Sequence, residues 1–124
     1  MQDVNVVVVF PCRGESIERL ALAAAVGAVE GRANIRLRCL EAAPDLEFIA
    51  PRDADAEWAD AILAVTSPEA EGGVALAGYF DSHPALRELR RMGRAIVVIV
   101  AETELAEARL HGQRMADSAR LRKP

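Results

Sequence analysis

The chain has 124 residues, is 52% hydrophobic and 27% charged, and carries a formal net charge of −4. That length holds one domain, residues 1–124, around one core, and the acidic balance excludes a general nucleic-acid surface. No apolar run is long enough to span a bilayer, and the first residues lack a signal-peptide pattern. The expectation is a cytoplasmic protein with no membrane and no nucleic-acid partner.

The first element is the apolar, mostly β-branched run Val4–Phe10, interrupted only by Asn5. It has the pattern of a central parallel strand buried on both faces. A tight loop, Pro11-Cys12-Arg13-Gly14, leads at once into a helix over Glu15–Glu30. Ile17, Leu20, Ala21, Ala24 and Ala28 form its apolar stripe, Glu18, Arg19 and Glu30 face water, and Gly31 is placed to end it. In parallel α/β sheets such a loop lies at the carboxyl end of the first strand. Backbone N–H groups and a helix N-terminus hold anions there.

Residues 34–40, NIRLRCL, alternate up to Cys39. Ile35, Leu37 and Cys39 point one way and Arg36 and Arg38 the other, as in a half-exposed strand at a sheet edge. Residues 41–55 read as a long loop, in which Phe48 and Ile49 cover either the sheet or a partner. A short helical turn over residues 55–58 precedes a third strand over 60–66, and Trp58 packs near that strand.

Residues 67–73, SPEAEGG, form a second loop. A helix then begins over 74–81, is restarted by Pro84, and runs on to Arg91. Residues 94–101, RAIVVIVA, are a fourth buried strand. Thr103 is placed to cap a last helix that sets Leu105, Ala108, Met115, Ala116 and Ala119 near one face, with a fraying basic tail. Strands alternating with helices imply an α/β protein with a parallel sheet covered on both sides.

Few side chains offer chemistry. Cys39 is expected to be buried and inert, with no disulfide to Cys12. Cys12, before a helix N-terminus, is placed for a lowered pKa. Small α/β phosphatases carry a nucleophilic Cys there with an Arg six residues on, but Glu18 stands at that place and Arg19 comes one residue late. Phosphotransferase-system IIB domains also carry such a Cys on a four-stranded sheet, yet CRGES matches their Gly- and Ser-rich loop poorly. His83 reads as a helix-end residue and His111 as one on a solvated face. The run Arg87, Arg90, Arg91 and Arg94 reads as a solvated helix end.

Four segments together resemble the flavodoxin-like proteins, and most closely the tryptophan-repressor-binding-protein type of NAD(P)H:quinone oxidoreductase. They are VVVVF-PCRG-ESIERLA, WADAILAVTSP, GGVALAGYFDS and LHGQRMADSA. The resemblance implies a flavodoxin-like three-layer sandwich with about four parallel strands in the order 2-1-3-4. The family's fifth strand is missing, because the fourth passes almost directly into the final helix. It also implies FMN, with phosphate held around Cys12, Arg13, Gly14, Glu15 and Ser16 and the ring bounded by Thr66, Ser67, Pro68, Gly72 and Gly73.

The loops depart from the family's pattern. Pro11 has no N–H to donate, Glu15 sets a negative charge beside an anion site, and Glu69 and Glu71 make a poor bed for a ring. The leading expectation is a divergent relative with a degenerate or lost FMN site and a role in binding or interaction. The alternative is an FMN-dependent NAD(P)H oxidoreductase. A homodimer through the open edge of the fourth strand or through the long loop is the expected assembly.

Overall fold

The computed structural model describes residues 4–10, 15–40, 51–66, 78–92, 95–99 and 105–121, with the side chains of 15, 16, 66 and 95–99 left aside. Among them are four strands, β1 (Val4–Phe10), β2 (Ala33–Cys39), β3 (Ala61–Thr66) and β4 (Ala95–Ile99). The helices are α1 (Glu15–Glu30), α2 (Asp53–Trp58), α3 (Pro84–Arg91) and α4 (Leu105–Leu121), and residues 78–81 are also helical. The strands form one parallel sheet, as the alternation of elements predicts, in the order β2-β1-β3-β4 that the resemblance implies.

β1 is central because its side chains suit both faces. Val4, Val6, Val8 and Phe10 join Leu63 and Val65 under α1 and α4. Val7 and Val9 join Ile62, Ala64, Ala56, Phe80, Leu86 and Leu89 on the other face. The result is three layers, α/β/α. Asn5, the single polar residue of β1, pins the amino-terminal side of the sheet. Its amide donates to the Asp60 carboxylate (2.8 Å) and its Nδ2 to the Trp58 carbonyl (3.1 Å), while the Asp60 amide donates to the Asn5 carbonyl (2.7 Å).

α1 and α4 touch backbone to backbone. A Cβ built on Gly27 would lie 1.8 Å from the Arg109 carbonyl oxygen, and one on Gly112 would lie 1.9 Å from the Ala24 carbonyl oxygen. Glycine is required at both places by this close approach. The same crossing explains Gly31, where a Cβ would meet the Ala116 Cβ at 2.8 Å. The left-handed residue that ends α1 is Arg32, with φ 64°, and not Gly31. Arg120 secures this turn by donating to the carbonyls of Gly31 (2.7 Å) and Arg32 (3.1 Å).

Several expectations need correction. The helix expected to begin at residue 55 begins at Asp53. Leu105 stands 51% exposed, away from the face that buries Ala108, Met115, Ala116 and Ala119. The tail expected to fray from Ala119 is helical through Leu121, with Ala119 buried. Cys39 is fully buried as expected, but it is disulfide-bonded and not an inert thiol. The chain's other cysteine is Cys12. His83 does cap a helix: its Nδ1 accepts from the Ala85 amide at 3.0 Å, and Pro84 opens α3. No described helix is long and apolar enough to cross a membrane. Phe48, Ile49 and Thr103 lie outside the described residues.

Candidate functional site

The chain connects β1 to β2 on one side of the sheet and β3 to β4 on the other. The crevice between the carboxyl ends of β1 and β3 is therefore the point where the winding reverses, the usual ligand site of an open α/β sheet. Val9 is in register with Ala64, so Thr66, the last residue of β3, reaches just past Phe10. Glu15 and Ser16 are the first two residues of α1, which follows β1. The backbone thus brings Glu15, Ser16 and Thr66 to the same edge of the sheet. Cys12, Arg13, Gly14, Ser67, Pro68, Gly72 and Gly73 lie outside the described residues, as do Pro11, Glu69 and Glu71.

A second constellation was not legible in the sequence. The alternation along β2 places Arg36 and Arg38 on one face, and an edge strand predicts that this face meets water. α2 covers it instead, and its Asp55 is fully buried. Arg38 grips the carboxylate in a fork, Nε to Oδ2 at 2.7 Å and Nη2 to Oδ1 at 3.0 Å. Arg36 Nη1 donates to Oδ1 at 2.9 Å, and the Arg52 amide donates to Oδ2 at 2.9 Å. Burial pushes the Asp55 carboxyl up, but the bonds from Arg38, the Arg52 amide and Arg36 together hold it below its ordinary value. The Arg36 guanidinium also lies over the Trp58 ring, 4.1 Å from its centroid, so Trp58 packs against a cation as well as the core.

Beside this cluster, a cleft of about 370 Å³ opens between α2 and the residues that lead into α3. Leu40, Pro51, Ala56 and Leu86 are its apolar walls; Arg52, Asp53, Tyr79, Ser82 and His83 are the polar ones. Leu40 borders the end of β1, its amide donating to the Phe10 carbonyl at 2.9 Å. The Tyr79 hydroxyl is buried and has no hydrogen-bond partner among the described residues. Burial, with the Asp55 charge adding to it, pushes its pKa up to about 12. Because His83 Nδ1 accepts from Ala85, the neutral ring carries its proton on Nε2, which lies 3.8 Å from a Glu57 carboxylate oxygen. Among the described residues no cluster of His, Cys, Asp and Glu could hold a metal ion.

No protein-family model matches the chain, and no curated protein matches its sequence. Solved structures do match its fold. A flavodoxin from the domain Archaea superposes with a TM-score of 0.65 at 13% identity, over 94% of this chain and 99% of that one. The flavodoxin-like domain of a Synechococcus sp. protein gives 0.62 at 15%, over 94% and 99%. A diflavin flavoprotein A3 from Nostoc sp. gives 0.59 at 16%, over 98% and 94%. The fold is flavodoxin-like. At these identities the likeness carries the architecture alone, and a shared fold does not bring a shared site.

Proposed function

We propose that this is a flavodoxin-fold protein whose flavin site is degenerate, and that it works by binding a partner and not as a self-sufficient quinone reductase. The observation that supports this most is the start of α1 at Glu15. In this fold the N-terminus of the first helix is what faces the phosphate of FMN. An acidic residue at that position lowers the affinity of a helix N-terminus for a phosphate dianion. In the sequence, Pro11 offers no N–H, and the segment that the resemblance assigns to the ring carries the acids Glu69 and Glu71. The residues at the switch point therefore fit FMN poorly.

The second reading is an FMN-dependent NAD(P)H oxidoreductase. The sheet order favours it, since Ser16, in the first turn of α1, and Thr66, the last residue of β3, lie at the edge where this reading would hold the cofactor. Under that reading Cys12, Arg13, Gly14 and Ser16 would hold the phosphate. Thr66, Ser67, Pro68, Gly72 and Gly73 would bound the ring. The flavin would supply hydride and electron transfer, and the chain would only bind and orient it. The visible absorption spectrum of the purified protein separates the two. A colourless protein is expected; a flavin band that survives dialysis overturns the degenerate-site reading.

A further inference from the structure

The outer face of α1 is apolar where a surface helix is ordinarily polar. Residues 20–29 read LALAAAVGAV, without one charged or hydrogen-bonding side chain. One side of this run fills the core: Leu20, Ala21, Ala24, Ala25 and Ala28 are all buried. The other side stands out, with Leu22 39%, Val26 50% and Val29 52% exposed. Spacings of four and three set these three along one stripe. A helix that is apolar all round is normally covered all round.

The charges bounding the stripe select what covers it. At 100° per residue, Arg19 and Glu30 fall on the same flank of the stripe, at opposite ends. A parallel copy related by a two-fold axis along the helices would exchange the flanks, so that no Arg19 approaches Glu30 of the partner subunit. An antiparallel copy, turned about a two-fold axis near Val26, keeps flank with flank and brings each Arg19 toward Glu30 of the partner subunit. Val26 then meets its own copy at the axis, and Leu22 meets Val29 of the partner subunit. Glu30 also accepts from Arg109 and Gln113 of its own chain, which holds its carboxylate at the rim of the stripe.

We infer that the protein pairs with a second copy of itself through α1, antiparallel, with Leu22, Val26 and Val29 at the centre and Arg19 and Glu30 at the rim. This supplies the partner for the interaction reading and rests on it. The two fail separately. A flavin-binding protein that still dimerises through α1 overturns only the flavin part, and a colourless monomer overturns only the dimer.

Sedimentation equilibrium of the full chain tests it, comparing the wild type with V26E. Val26 is half exposed, so the substitution leaves the core packing in place, and far-UV circular dichroism verifies the fold. The expected result is a wild-type dimer whose dissociation constant rises about 30-fold or more in V26E. Should V26E fail to fold, V26S serves in its place, with a smaller rise expected. V26C should also form an interchain disulfide on mild oxidation, which the wild type does not. A wild type that is monomeric at ~100 µM overturns the proposal. So does a dimer that the Val26 variants leave intact, the outcome expected if pairing runs through β4 or another surface.

Discussion

Asp55 and Arg38 are joined by a buried two-point bridge, Nε to Oδ2 at 2.7 Å and Nη2 to Oδ1 at 3.0 Å, and this bridge fastens α2 to the edge strand β2. A six-residue helix cannot hold itself together in water. Apolar contact on α2 is small, with Ala56 buried and Trp58 partly so. The ionic clamp therefore sets where α2 lies, and with it one wall of the cleft.

Replacing Asp55 by Asn should be costly. The buried Arg38 would lose its counter-charge, and a loss of about 3–5 kcal/mol is expected in urea denaturation. The clamp also gives a pH signature. The folded-state pKa of Asp55 is held below its unfolded value, so its contribution is fully present above the unfolded carboxyl value of about 4. It fades as pH falls through the depressed folded value. Wild-type stability should drop more steeply below pH ~4 than that of D55N. Equal slopes would show that Asp55 carries no such coupling.

Tyr79 predicts the opposite sign. Its hydroxyl is buried without a hydrogen-bond partner among the described residues, and an unsatisfied group lowers stability by about 1–3 kcal/mol relative to a satisfied one. Y79F removes the hydroxyl and keeps the ring against Phe80. A gain of about 1 kcal/mol in thermal or urea unfolding is expected. A loss of that size would mean that the hydroxyl has a partner in solution.

Two glycines separate packing from propensity. G112A drives a Cβ to 1.9 Å from the Ala24 carbonyl oxygen, a backbone atom that cannot step aside. About 3 kcal/mol of destabilisation or more is expected. A Cβ on Gly78, in contrast, meets nothing within 4 Å among the described residues, and G78A should stabilise by about 0.5–1 kcal/mol through helix propensity. Paired denaturation curves check both.

The disulfide at Cys39 is open to a thiol count. Protein purified without reductant and then denatured should show no free thiol, and two after reduction, since the chain carries two cysteines. Two thiols before reduction would remove the bond from the account.

Much of this architecture was legible because its sequence signals were local. The β-branched run Val4–Phe10 and the Glu15–Glu30 stripe read directly as β1 and α1. The alternation of Arg36 and Arg38 correctly put both on one face of β2. Alternation says which side chains share a face, though, not what covers it. The cover came from Asp55, 17 residues beyond Arg38, on a helix too short to show a period. Gly31 misled for a related reason. A glycine after a helix ordinarily marks left-handed backbone, but here it serves contact with Ala116, a residue distant in the chain. Of the candidate flavin residues, only the backbone of Glu15, Ser16 and Thr66 lies among those the structure describes, at the start of α1 and the end of β3.

The degenerate-site reading is tested most directly by titrating the protein with FMN and following quenching of the flavin fluorescence. Under the degenerate-site proposal no saturable quenching is expected up to ~100 µM protein. Saturable binding in the micromolar range or tighter would contradict it, and would make the electron-transfer reading the one to pursue.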